Sequence, residues 1–294
     1  MGTSGSSGGP AATTPLVPTW LDEPTPTGPL PGGDSAAPAD GDQVDDGTGK
    51  DNRATPPAAL TIVPPPMPAR FQSARRNFSV FARSGGNDRG ALRRAVQDYV
   101  RSGTRGGGNA TRRMGASRAA AGGVLSVFRG FQRDGVDATL RRLNLAAVIG
   151  RPTSEVFVAL TDVICPDGGS IDEGIARDAW VETVAELDVL GLEDIAALTP
   201  AQMQEVFLSF VAHAIETRLF QDIGANGLQL AADPDAIESF EGQLRSYIRR
   251  AVRDSFSGDV DKLSTLSDQQ IRTVVDQTYR EAWDLLDTLG DVVE

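Results

Sequence analysis

The first 69 residues of this 294-residue chain offer almost nothing to pack. Pro, Gly, Ala, Ser, Thr and Asp dominate them, as in Pro24-Thr25-Pro26, Gly32-Gly33-Asp34 and Pro64-Pro65-Pro66. Such a stretch cannot bury enough apolar surface to offset the entropy of ordering its backbone. Residues 1–69 are therefore predicted to form a disordered arm, with polyproline II character around 59–68. Leu16, Val17, Trp20 and Leu21 make its clearest apolar island, which reads equally as a docking motif or as a chance cluster. Any core has to come from residues 70–294.

Beyond the arm the apolar spacing is helical. Leu92, Ala95, Val96, Tyr99 and Val100 recur at three and four residues over 88–102, and Gly103 stops that helix. Asn109 or Thr111 is placed to cap a second helix reaching about Gln132, with Met114, Val124, Leu125, Phe128 and Phe131 on its apolar side. Gly115, Ala119 and Gly123 recur every fourth residue in it, which suits close helix packing. A third helix is expected over 137–148. Thr153 caps another, with Val156, Phe157, Leu160, Val163 and Ile164 inward and Pro166 as its stop. Four later starts carry stronger signals: Ser170-x-x-Glu173, Thr199-Pro200-x-Gln202, Asp233-Pro234 and Ser267-x-x-Gln270. The first runs to about Leu190. The second runs to about Asp222 with Met203, Val206, Phe207, Phe210, Ala214 and Ile215 on one face. No alternating run supports a sheet. The predicted fold class is all-α: a bundle-like helical body behind a long disordered arm, with an Arg/Gly-rich basic region at 70–150 and an acidic all-α domain at 151–294.

The net charge of −12 hides three blocks. Residues 1–69 carry two basic and eight acidic residues, a net of −6. Residues 70–144 carry sixteen arginines against four aspartates, a net of +12. Residues 145–294 carry ten basic and twenty-eight acidic residues, a net of −18. Within the basic block the arginines come in pairs: Arg75-Arg76, Arg93-Arg94, Arg112-Arg113 and Arg141-Arg142. Phe71, Phe78, Phe81 and Tyr99 are interspersed with them. Arginine suits phosphate contact and stacking, which gives a nucleic-acid-binding adaptor acting through 70–142. The same block also complements the acidic helices, or an acidic partner, and this second reading is favoured because the acidic excess lies in the same chain.

No catalytic constellation is visible. His213 is the only histidine, and a catalytic histidine needs an orienting carboxylate and a nucleophile that nothing near it in sequence marks. Cys165, the only cysteine, precedes Pro166 at a helix end and reads as a buried, inert thiol. A lone cysteine permits no internal disulfide and fits a reducing cytoplasm. The start lacks a secretory signal, and no run of about 18 apolar residues predicts a membrane span. The glycine-rich stretches 85–90 and 103–108 lack the Gly-Lys-Ser/Thr of a phosphate-binding loop. No zinc or calcium spacing occurs. The expectation is a cytoplasmic protein that is not an enzyme and uses no metal or cofactor.

Chemistry is left to the tip, Met1-Gly2-Thr3-Ser4-Gly5-Ser6-Ser7-Gly8-Gly9-Pro10. Met1-Gly2-x-x-x-Ser6 fits a myristoylation pattern that only eukaryotic machinery reads, whereas the arginine bias points to a high-GC bacterial source. Loss of Met1 exposes the Gly2 amine. An α-amine has a pKa of about 7.7–8.0, against about 10.4 for lysine, so a sizeable fraction is nucleophilic near neutral pH. Gly2 has no side chain to block attack, and Thr3, Ser4 and Gly5 can thread extended into a narrow pocket.

This tip, continued by Thr14-Pro15-Leu16-Val17-Pro18-Thr19-Trp20, resembles the QatB family of the Qat anti-phage defence system. Arg70-Phe71, Phe78-Ser79-Val80-Phe81-Ala82-Arg83-Ser84-Gly85-Gly86, Leu92-Arg93-Arg94-Ala95 and Arg112-Arg113-Met114-Gly115 add to the resemblance. It implies a non-enzymatic defence component encoded with an ATPase (QatA), a QueC-like enzyme (QatC) and a TatD-like nuclease (QatD). It further implies that the QueC-like partner binds the N-terminus and forms a deazaguanine-type amide on Gly2, with Thr3, Ser4 and Gly5 in the partner's pocket. It carries no catalytic residue onto this chain.

Overall fold

The computed structural model describes residues 69–187, 191–192, 194–224, 234–258 and 260–288. The tip residues Gly2, Thr3, Ser4 and Gly5, the apolar island at 16–21, the rest of the predicted arm before residue 69, and Asp233 lie outside them. Val63–Glu294 forms one compact unit, and the change of charge near residue 150 falls inside it. Among the described residues the structure is helical and without strands, as the spacing predicts.

Among the described residues the α-helical segments are, in order, α1 (Gln72–Arg83), α2 (Arg89–Asp98), α3 (Gly107–Arg112), α4 (Gly115–Asp134), α5 (Val136–Arg142), α6 (Thr153–Ala159), α7 (Thr161–Ile164), α8 (Ile171–Ala185), α9 (Pro200–Ile223), α10 (Pro234–Ser255) and α11 (Asp268–Thr288). A π-helical turn, Tyr99–Thr104, extends α2.

The body is built around α9. Every residue from Val206 to Glu216 is buried, so this helix is enclosed on all sides and has no solvent face in its middle. That corrects the expectation of one apolar face. The reason lies in its surroundings: Leu208, Val211 and Ala212 are covered by neighbouring helices, and Ser209, His213 and Glu216 are taken up by Glu186, Arg249 and Arg245. It packs against α8, α10 and α4, while α11 lies across α10, α4, α3 and α2. Around these contacts a single hydrophobic cluster runs from Phe71 to Leu286. Trp180 stacks on Phe157 at 5.6 Å and meets Phe210 of α9 edge-on at 6.2 Å. Phe240 of α10 gathers Phe78, Phe81 and Phe220.

The helix starts that carry capping boxes form as read. Ser170 Oγ accepts from Glu173 N at 3.2 Å while the Glu173 carboxylate accepts from Ser170 N at 2.9 Å. Thr199 and Gln202 repeat the exchange at 3.3 and 3.0 Å, with Pro200 at the first helical position. Ser267 and Gln270 do so at 3.3 and 2.8 Å. Asp88 caps α2 through Ala91 N at 2.8 Å. Each such cap stabilises its helix by about 1 kcal/mol.

Weaker starts were redrawn by packing. A helix precedes the first expected one: α1 buries Ala74, Phe78, Phe81 and Ala82, a stripe masked in sequence by its arginines. Neither Asn109 nor Thr111 is a cap. Both lie inside the short α3, which presses Gly107 so closely onto α11 that a Cβ there would collide with Asp284. Met114 takes the cap position of α4. The third expected helix breaks where Asn144 turns left-handed, at φ 61°. Thr153 lies inside α6 and makes no cap hydrogen bond, Pro152 standing before it. That helix restarts at Thr161, which leaves Val163 partly exposed instead of inward.

If α9 and its aromatic neighbours carry the core, Phe210→Ala costs about 3–5 kcal/mol, the usual range for emptying a buried phenylalanine site. Urea unfolding followed by circular dichroism measures it, and a loss below about 1 kcal/mol would contradict the enclosed placement of this side chain.

Candidate functional site

The paired arginines are distributed over α1, α2, α3 and α5 and do not form one stripe. Arg75 caps the end of α9, its Nε donating to Ile223 O at 2.6 Å and its Nη2 to Asp222 O at 3.1 Å. Arg113 pairs with Asp222 at 2.8 Å. Arg94 reaches Asp88 at 3.9 Å, Arg112 bonds the Asn109 side chain, Arg141 reaches Asp137 at 3.7 Å, and Arg142 pairs with Asp134. Arg93 faces α10, and Arg76 is exposed on α1. Other arginines of the basic block also reach into the acidic helices. Arg101 pairs with Asp287 at 2.6 Å, Arg118 with Asp276 at 2.5 Å, and Arg129 with Asp268 at 2.6 Å. Phe71, Phe78, Phe81 and Tyr99 are buried in the core, so none is a platform for stacking bases.

The densest of these arrangements centres on Asp222, which sequence spacing does not reveal. Its carboxylate accepts from Tyr99 Oη at 2.8 Å, from Arg113 at 2.8 Å and from Arg218 at 3.3 Å. Tyr99 lies between Phe71, at 5.2 Å, and Trp283, at 5.6 Å, both stacked on it. Burial, and then the Asp222 charge, push the Tyr99 hydroxyl well above its ordinary range, so it stays protonated and donates.

A second cluster surrounds His213 on α9. Its Nε2 lies 3.1 Å from Glu186 Oε2 and 3.3 Å from Arg249 Nη2, and its Nδ1 lies 3.8 Å from Glu216. The carboxylates beside the ring are thus supplied by Glu186, at the end of α8, and by Glu216, one turn on in α9 itself. Burial raises Glu186, but hydrogen bonds from His213, Arg249 and Ser209 outweigh it and hold the carboxyl at about 2. Glu216 is raised, because burial outweighs its pair with Arg245. The imidazole is only 2% exposed, Ser209 donates to Glu186 and not to the histidine, and the adjoining void measures about 30 Å³. That volume admits a water and no substrate. His213 is a packed member of an ion network. Cys165 is equally enclosed: burial pushes its thiol up to about 11 despite Arg177. Among the described residues no cluster of three metal-ligating side chains occurs, and no helix is long and apolar enough to cross a membrane.

Two outcomes follow. Asp222→Ala strips a largely enclosed carboxylate from two guanidiniums and a phenol, at a cost of about 3 kcal/mol by urea unfolding, the low end for a buried pair because Asp222 and Arg113 both keep some exposure. Glu186 has a depressed pKa in the folded state, so its contribution is complete above the unfolded value of about 4.3 and is lost as pH falls toward 2. Glu216 has the opposite sign, its contribution lying below its unfolded pKa and fading as pH rises. The stability of Glu186→Gln is therefore expected to decline less steeply than wild type between pH 5 and pH 3, measured as urea midpoints; parallel declines would rule Glu186 out.

Comparison with known proteins places this geometry. A sequence model of the family described as Qat anti-phage system associated protein QatB matches residues 106–286, from the start of α3 through most of α11. No curated protein and no solved structure matches the chain. The match lies in the helical body, whereas most of the motifs that suggested the resemblance lie at the tip and in α1 and α2. With well over half of its length matched, the chain belongs to the QatB family of Qat anti-phage systems.

Proposed function

We propose that this protein is a non-enzymatic anti-phage defence component, acted upon at its N-terminus and carrying its helical body as an interaction module. Family membership carries the reading, because the family is a component of an anti-phage system. The body supports it. His213 and Cys165, the side chains most suited to catalysis, are sealed and engaged inside the fold. The modified group is the Gly2 amine, released when Met1 is removed, and the QueC-like enzyme of the system forms the amide on it. Thr3, Ser4 and Gly5 make the extended segment that the enzyme grips. The system's ATPase and TatD-like nuclease are the further partners, with the body as their docking surface in the cytoplasm. The alternative, a nucleic-acid adaptor using 70–142, draws less support, since Arg75, Arg101, Arg113, Arg118 and Arg129 are engaged by the acidic helices.

Intact mass spectrometry after co-expression with the QueC-like partner tests the reading. The expected result is a mass increase confined to the N-terminal peptide, absent from Gly2→Glu, whose bulk keeps Met1 in place. A free Gly2 amine together with no co-purifying partner would sink it.

A further inference from the structure

Two arginines of the basic block meet one from the acidic helices at a common cleft. Arg89 and Arg93 of α2 and Arg250 of α10 line a cleft of about 360 Å³, completed by Leu92, Gln243, Ser246 and Tyr247. Among the described residues no carboxylate lines it. Arg89 and Arg250 are exposed, and neither side chain has a hydrogen bond or ion pair among the described residues. Several arginines of the block find aspartates; here Arg89 and Arg250 border one cleft without a partner among the described residues, an arrangement of like charges that an entering anion would relieve.

The fold holds the cleft open. The turn between α1 and α2 places Gly86 at φ 79°, and a Cβ there would come within 2.6 Å of Gln243 Nε2. Glycine lets the turn rest on α10. That contact, with Asp88 capping α2, sets the first turn of α2 beside the middle of α10. The Tyr247 hydroxyl in the wall is buried and has no hydrogen-bond partner among the described residues. Burial raises its pKa to about 12 against the pull of Arg93, so it remains a neutral donor at neutral pH. A buried donor without a partner calls for an acceptor.

Shape and chemistry select the ligand. The volume suits one small molecule and not a long strand or a helix. Guanidinium forks match phosphate oxygens in pairs, more closely than they match a single carboxylate. Leu92 and the Tyr247 ring offer an apolar wall to a planar group, while Gln243 and Ser246 bring amide and hydroxyl groups to its polar edge. We propose that this cleft binds a phosphorylated nucleoside, free or as the 5′ end of a strand, with its phosphates on Arg89 and Arg250 and its base against Leu92 and Tyr247. The site is independent of Gly2 and of whatever modifies it.

Calorimetry on the full chain at low salt tests this with four probes: ATP, inorganic pyrophosphate, a 5′-phosphorylated single-stranded decanucleotide, and an Asp/Glu decapeptide. The expected result is saturable micromolar binding of ATP or of the decanucleotide, weakened at least about tenfold in Arg89→Ala/Arg250→Ala. Both positions are exposed and unpaired, so the helical circular dichroism of that variant stays unchanged. Tyr247→Phe is expected to weaken binding severalfold. Tighter binding of ATP points to a free nucleotide, and tighter binding of the decanucleotide to a strand end. Pyrophosphate as tight as ATP removes the base from the site and overturns the proposal. So does preference for the acidic peptide, full affinity in the double variant, or no saturable binding of ATP and decanucleotide at millimolar concentration.

Discussion

The carboxylate of Asp222 is where the early and late parts of the body are tied. It stands in the last turn of α9, at the negative end of the helix dipole, where an unpaired acid is unfavourable. Arg113 and Arg218 offset it, Tyr99 donates to it, and Arg75 takes up the helix's last carbonyls beside it. Each donor brings an element with it. Arg75 anchors α1, Tyr99 the π-helical turn, and Arg113 the join of α3 and α4. The stack of Phe71, Tyr99 and Trp283 carries the same tie on to α11. A tyrosine held between two rings loses little entropy on making its hydrogen bond, so the polar tie and the aromatic stack reinforce one another.

Local chemistry was legible and long-range chemistry was not. The capping boxes at Ser170, Thr199 and Ser267 lie within four residues of sequence and formed as read. The all-α class followed from the same spacing. The short α3 was not legible, because its boundaries are set by how close Gly107 must come to α11. Nor was α9 as a central helix, since enclosure depends on what surrounds a helix and not on its own period. The candidate site divides in the same way. The arginine pairs could be counted from sequence, but Arg75 and Arg113 find their partners more than a hundred residues away. The carboxylates beside His213 come from another loop and from the next turn of α9. Gly2 stood out through amine chemistry and family resemblance, and no described residue bears on it.

The blocks of charge acquire a structural meaning. A net of +12 over 70–144 and of −18 over 145–294 would each be unfavourable in a compact body alone. Packed together, Arg101, Arg113, Arg118 and Arg129 each meet an aspartate of α9 or α11. These pairs are half-exposed and individually weak, but they specify which helices belong together. In the cleft between α2 and α10, Arg89 and Arg250 stay without such a partner among the described residues.

The contact between Arg75 and Ile223 spans 148 residues, and Tyr99 leans on Trp283 near the far end of the last helix. On a ribosome adding about 5–20 residues per second, the chain from α1 to Trp283 takes on the order of 10–40 s to emerge. Until residue 223 emerges Arg75 has no carbonyl to cap, and until Trp283 emerges one face of the Tyr99 ring stays uncovered. The nascent body thus cannot complete this tie until its last helix is out, and it is in this window that a holding chaperone, or a partner that binds early, has its opportunity.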